Sequence, residues 1–235
     1  MQPYLPAVAT LLAYLVGSLP FAVIVSRLMG LADPRQYGSH NPGATNVLRS
    51  GNKLAATLTL LLDALKGYVP VLLVSAYGHR YDLREGTVAL VGLAAFVGHL
   101  WPLFIKFRGG KGVATAGGAL FAFNPWLGAA TLITWAIIAF LFRYASLASI
   151  VAAVFAPFFQ VLIWGAGVPA LVVGIISLLL LWRHSSNVNR LLAGTESKLG
   201  CKGVTVASKH AQTQQGTHGH QRARGATHRQ ARGKS

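Results

Sequence analysis

Acidic side chains are scarce in this chain. Its 235 residues hold only five Asp and Glu, and charged residues of either sign make up 11% of the whole. Soluble domains average about 25% charged, so a water-covered globule is a poor fit to this composition. Cysteine is almost absent. The single Cys201 excludes an intrachain disulfide, and it lies too far along the chain to serve as a nucleophile within the apolar region. The histidines after Lys198 show no regular ligand spacing and have no cysteine partner, which argues against a metal site there. What the sequence has in quantity is hydrophobic side chain, at 53%. Runs of roughly 17–25 apolar residues recur along it, as bilayer-crossing helices require.

Seven apolar segments can be drawn, over about Tyr4–Met29, Leu54–Tyr77, Gly86–Ile105, Gly112–Phe123, Trp126–Phe142, Ser146–Trp164 and Val168–Trp182. The expected fold is all-α, a polytopic integral membrane protein with seven transmembrane helices, the fourth short enough to be tilted or re-entrant. The N-terminal stretch lacks the basic region of a cleavable signal and reads as the first span. Arg35, Arg49 and Lys53 fall in the first connection, Lys106, Arg108 and Lys111 in the third, Arg143 in the fifth, and the C-terminal part follows Arg183. The intervening connections are balanced or uncharged. The positive-inside rule therefore places the N-terminus in the periplasm and the C-terminus in the cytoplasm.

The net charge of +16 would suit nucleic acid, but its distribution does not. Much of it sits in the last part of the chain, "KHAQTQQGTHGHQRARGATHRQARGKS", which has almost no large apolar residue to bury. The expected organisation is a membrane domain over residues 1–197 and a disordered basic cytoplasmic tail over 198–235. Such a tail suits an anionic membrane face or plain solvation, and no nucleic-acid partner is expected.

Several polar motifs interrupt the apolar pattern, and the orientation puts them all on the cytoplasmic side. In "FRGGKGVATAGG" the Walker positions are filled by Ile105 and Gly112, so this is no P-loop. Its physics can still apply: Gly109, Gly110 and Gly112 let backbone N–H groups approach an anion, Lys111 adds a compact charge and Thr115 a hydroxyl. The loop "YGSHNPGATNVLR" offers Ser39, Asn41, Asn46 and Arg49 between sharp turns, a set suited to a polyol phosphate. Asp63 and Lys66, spaced i,i+3 in the second segment, would share a helix face and reduce the cost of burying either charge; Asp63 reads as a structural tie. Ser146, just after Arg143 at the start of the sixth segment, is placed to cap a helix or to bind phosphate. In "RHSSNVNRLLAGTE", His184, Asn187 and Arg190 follow at i,i+3 steps on one helical face, with Glu196 a partner for a loop arginine. Together these residues suit a phosphate-bearing substrate. They do not choose between a phosphate transporter, a lipid-head-group enzyme and a regulatory lipid-binding protein.

The five motifs "GSHNPGATNVLR", "LLDALKG", "GHLWPLFIKFRGGKGVAT", "RYASLASI" and "RHSSNVNRLLAGTE" choose by resemblance. In this order, over about Ala9 to Glu196, the chain resembles the bacterial membrane glycerol-3-phosphate acyltransferases that use acyl-phosphate as donor. The resemblance implies an inner-membrane enzyme with its active site at the cytoplasmic face. It would move a fatty acyl group from acyl-phosphate to the sn-1 hydroxyl of glycerol 3-phosphate, giving lysophosphatidic acid and phosphate, without a cofactor. The bilayer and the upstream acyl-phosphate-forming enzyme are its expected partners. A His-x4-Asp motif, used with thioester donors, is absent: Thr45, Arg84, Phe104 and Asn189 stand where the aspartate would follow His40, His79, His99 and His184.

The resemblance assigns Gly109, Gly110, Lys111, Gly112 and Thr115 to the acyl-phosphate. Ser39, Asn41, Asn46, Arg49, Lys111 and Ser146 are assigned to glycerol 3-phosphate. His184, Asn187 and Ser39 would be catalytic, with Asp63, Lys66, Arg143 and Glu196 in support. The base is His184 or the donor's own phosphate.

Overall fold

The computed structural model describes residues 3–200. The expectations placed on residues 201–235, the body of the basic tail with Cys201, lie outside the described residues. Among the described residues there are helices and no strands: α1 (Leu5–Gly17), α2 (Phe21–Leu28), α3 (Ala44–Leu48), α4 (Lys53–Tyr77), α5 (Glu85–Leu100), α6 (Val113–Phe123), α7 (Pro125–Phe142), α8 (Ala145–Trp164), α9 (Val168–Arg183) and α10 (Ser185–Leu192). Short 3-10 turns follow α4 at Gly78–Tyr81 and α5 at Leu103–Ile105.

Four helical stretches are long and apolar enough to cross a bilayer, and six if each of two bent pairs is a single span. The first bent pair corrects the reading of Tyr4–Met29 as one helix. α1 and α2 are inclined by 40° to each other, with Pro20 at the break. Proline has no N–H with which to continue the ladder. The Leu19 carbonyl left at the break accepts a bond from Lys66 Nζ at 2.8 Å. Pro70 and Pro157, by contrast, sit within α4 and α8 without ending them.

The helix starts are local chemistry. Asn52 accepts the Ala55 N–H at the start of α4, and Asn124 accepts the Trp126 N–H ahead of Pro125 in α7. Outward faces are greasy, with Leu61, Leu73, Ile133, Phe140 and Leu162 all exposed. A monomeric soluble protein rarely shows apolar surface on this scale, and lipid is its natural cover. Inside, the helices meet through small residues. A Cβ on Gly67 would collide with the Thr115 carbonyl, and one on Gly118 with the Ala64 carbonyl, so α4 and α6 approach backbone to backbone. Gly17 and Gly98 do the same for α1 and α5. α5 carries the most fully enclosed side chains, Val91, Phe96 and Leu100, and α1, α4, α6 and α9 pack around it.

Candidate active site

The connections after α2, α5 and α9 converge on one end of the bundle. They enclose a cleft of about 240 Å³ lined by Ser39, His40 and Asn41, by Gly109 and Lys111, and by Arg183, Ser186 and Arg190.

The first wall is held by Asn46. Its amide donates to the carbonyls of Pro34 (2.6 Å) and Tyr37 (3.1 Å) and accepts the Ser39 N–H at 3.0 Å. Asn46 is 2% exposed. It was expected as a substrate ligand; with these bonds taken up by the loop, it shapes the turn that presents Ser39. A Cβ on Gly38, at φ 61°, would strike that same amide, so only glycine lets the turn lie this close. Arg49 reaches across to Ser197 Oγ at 2.5 Å.

The second wall is the glycine loop, and its glycines are used differently from the expectation. The Gly110 N–H donates to the His99 carbonyl at 3.2 Å. Cβ atoms on Gly109, Gly110 and Gly112 would run into α5, at the His99 carbonyl, the His99 ring and Phe96 respectively. Close approach to a neighbouring helix therefore demands these glycines before any ligand does. Gly112 sits at φ 80° and begins α6, whose first turn has no side-chain cap, leaving its positive end open. Thr115 is 0% exposed and hydrogen-bonds His99 Nδ1 at 3.2 Å, so it lies beneath the loop and not in the cleft. From above, the Arg183 guanidinium donates to the Gly109 and Gly110 carbonyls at 2.9 Å each.

The third wall is a bent helix. α9 and α10 meet at 53° at His184. The turn buries His184 (2% exposed) and Asn187 (4% exposed) side by side in sequence spacing. His184 Nδ1 lies 2.8 Å from the Leu180 carbonyl, a contact that requires the proton on Nδ1 and leaves Nε2 as an acceptor. Burial first, and the Lys111 charge second, lower the His184 pKa to about 4, so the ring is neutral at physiological pH.

Asn187 bridges the site: its carbonyl oxygen accepts from Lys111 Nζ and its amide donates to Glu196 Oε1 at 2.7 Å. Glu196 also accepts from Ser146 Oγ and Arg190 Nε, at 2.7 Å each. Burial alone would raise its carboxyl, but these three donors outweigh it and hold the group below the usual range. Ser146, expected to meet substrate directly, therefore meets Glu196 in this state. Arg143 stands apart: its backbone carbonyl accepts the Leu199 N–H at 2.6 Å. Asp63 and Lys66 lie deep in the bundle, 2.8 Å apart.

Charge at the cleft is one-sided. Lys111 is surrounded by Arg190, Arg183 and Arg49, with Glu196 the carboxylate among them. Burial, opposed by Glu196 and reinforced by the three arginines, brings the Lys111 ammonium down to about 8. Such a field concentrates anions. Arg190 is on the face read from the sequence, whereas Arg183, His40 and Ser186 are additions to the site made by the structure. The i,i+7 spacing of Arg183 and Arg190, on the face that carries Asn187, was the available signal.

Apolar helices around an anion-attracting cleft at one end of the bundle define a polytopic membrane protein that handles charged small molecules. The glycerol-3-phosphate acyltransferase family model matches residues 7–194. The chain is 59% identical over 211 residues to a glycerol-3-phosphate acyltransferase of Albidiferax ferrireducens, covering 87% of this chain and 94% of that one. It is 60% identical over 190 residues to one from a Janthinobacterium species, covering 81% and 94%. Among solved structures it is similar to PlsY (YgiH), an integral membrane glycerol 3-phosphate acyltransferase, in its glycerol 3-phosphate form. That likeness has a TM-score of 0.77 at 38% identity, over 83% of this chain and 96% of that one. The lysophosphatidic acid form gives a TM-score of 0.75 at 37% identity. The chain belongs to the glycerol-3-phosphate acyltransferase family and is a membrane enzyme of that class.

Proposed function

We propose that the protein transfers a fatty acyl group from acyl-phosphate to the sn-1 hydroxyl of glycerol 3-phosphate, releasing phosphate and lysophosphatidic acid. The observation that carries this reading is Lys111, Arg183 and Arg190 lining one cleft, with the charge of Arg49 acting on Lys111 from nearby, a charge supply fitted to phosphates. The PlsY structures, solved with glycerol 3-phosphate and with lysophosphatidic acid, support the same acceptor and product. The reaction runs at the cytoplasmic face of a bacterial inner membrane. Its seven crossings are the four long spans, the bent pair α1–α2, the shorter α6 and α9, with α10 turned aside at the cytoplasmic face and the N-terminus periplasmic.

Glycerol 3-phosphate lies among Ser39, Asn41, Arg49 and Ser146, its phosphate neutralised by Arg49 and Lys111. Asn46 acts through Ser39. The acyl-phosphate lies on the glycine loop, its phosphate facing Lys111 and the open end of α6. The neutral His184, through Nε2, accepts a hydrogen bond from the acceptor hydroxyl and aims its oxygen at the acyl carbon; Asn187 steadies Lys111 against the developing charge. A carbon–oxygen ester bond forms and the carbon–oxygen bond to phosphate breaks. The hydroxyl hydrogen, held at Nε2 while the acceptor is aimed, is handed over to the departing phosphate as the ester forms, and the phosphate ends as hydrogen phosphate. Burial keeps the imidazole neutral, and its Nδ1 bond to the Leu180 carbonyl leaves Nε2 free to accept, which suits an orienting role. Asp63, Lys66, Arg143 and Glu196 hold the frame.

The test is acyl transfer by the purified protein in detergent, offered glycerol 3-phosphate with palmitoyl-phosphate, palmitoyl-CoA or palmitoyl-ACP. Lysophosphatidic acid from palmitoyl-phosphate alone is the expected result. Product from a thioester donor instead would overturn the donor assignment, and none from any donor would overturn the reaction.

A further inference from the structure

Not all of the buried polar groups belong to the cleft. Asp63 of α4, His99 of α5 and Thr115 of α6 meet beneath the glycine loop, each less than a tenth exposed. Asp63 Oδ1 is 2.8 Å from Lys66 Nζ and 3.6 Å from His99 Nδ1. The same histidine nitrogen is 3.2 Å from Thr115 Oγ1. The opposite side of His99 faces the loop. Its carbonyl accepts the Gly110 N–H at 3.2 Å, and its Nε2 occupies the place a Cβ of Gly110 would need.

One residue thus touches a fixed ionic cluster with one edge and the loop next to Lys111 with the other. The cluster has little freedom to move. Lys66 is tied to the Leu19 carbonyl at 2.8 Å, and α4 and α6 are locked together where Gly67 meets the Thr115 carbonyl. Arg183 closes the arrangement from above through the Gly109 and Gly110 carbonyls. The loop is therefore clamped between a guanidinium on the solvent side and an imidazole on the core side.

We propose that His99, oriented by Asp63 and Thr115, is a positioning residue that sets the height of the glycine loop for the donor. This rests on the reading of that loop as the acyl-phosphate site. His99 does not touch substrate. A displacement of about 1 Å in a substrate-positioning element costs on the order of 100-fold in rate, so the clamp has enough leverage to matter.

The experiment uses the full chain in detergent with palmitoyl-phosphate and glycerol 3-phosphate. It compares His99→Phe, His99→Asn and Thr115→Val by thermal midpoint and by separate KM values for the two substrates. His99→Phe and Thr115→Val should each raise the donor KM by about fivefold or more, with the acceptor KM within about twofold of the parent. His99→Asn restores a polar amide where Nδ1 stood and should recover most of the loss. Should His99→Phe fail to fold, the nearly isosteric Thr115→Val decides by the same split. Equal movement of both KM values, or a lower midpoint with both unchanged, would overturn the proposal and leave His99 a core residue. A parent enzyme that uses only a thioester donor would sink the donor assignment instead, and the clamp would then be read by the same split with that donor.

Discussion

Lys111 makes the functional reading testable by pH alone. Its ammonium is lowered to about 8 by burial and by the three arginines around it. The group is charged below that pH and neutral above it. Loss of the charge removes the cation at the centre of both phosphate sites. The kcat/KM of the free enzyme should therefore be flat below about pH 7, stand at about half its plateau near pH 8, and reach roughly a tenth of it at pH 9, falling about tenfold per unit beyond. Bound phosphates favour the charged form, so the kcat limb should lie at higher pH than the kcat/KM limb. Lys111→Arg should lower the plateau, because a planar fork cannot reproduce the ammonium's bond to Asn187, yet the alkaline limb should disappear. The assay is initial lysophosphatidic acid formation, corrected for spontaneous hydrolysis of the donor. A flat kcat/KM through pH 9.5, or an alkaline limb that survives in Lys111→Arg, would refute the assignment of that limb to Lys111.

Gly110→Ala forces a methyl into the His99 ring and against the Pro42 carbonyl 3.1 Å away, so the donor KM should rise by about tenfold while the protein still purifies folded. Lys66→Ala strands a buried carboxylate and removes one of the two donors to the Leu19 carbonyl; it should cost about 3–5 kcal/mol, read as a large drop in thermal midpoint. Asn187→Ala removes the bridge between Lys111 and Glu196, and kcat should fall by at least about tenfold with little change in the acceptor KM. A chain ending at Leu199 retains the Arg49–Ser197 bond and the Leu199 tie to Arg143, and should keep most of the parent activity.

Hydropathy located the helices well because lipid demands a period of length more than of pattern. Even the short α6 was legible between Gly112 and Asn124. The break at Pro20 was written in the sequence too, but an averaged apolar run passes over a single proline. The site motifs were legible as motifs, while the direction each side chain faces was not. Thr115 follows Lys111 by one helical turn, and the sequence does not say that α5 lies on its side and brings His99 to meet it. Asn46 looks like a ligand until its three loop partners are known. Arg183 was overlooked for the opposite reason: at the end of an apolar span, an arginine ordinarily reads as a topology signal.

The Glu196 carboxylate has a consequence for how the site empties. In the absence of ligand, Lys111 and three arginines would face one another across a small space with only water between them. Glu196 answers that repulsion from within, accepting bonds from Ser146, Asn187 and Arg190. The protein carries its own resident anion. If the cleft holds phosphate as proposed, the ligand enters by exchange, sharing donors with a carboxylate that never leaves, and the net gain on binding is smaller than four cations would otherwise give. The same exchange runs backwards when the product departs. A catalyst whose product must return to the bilayer gains turnover from a grip that is built to be contested.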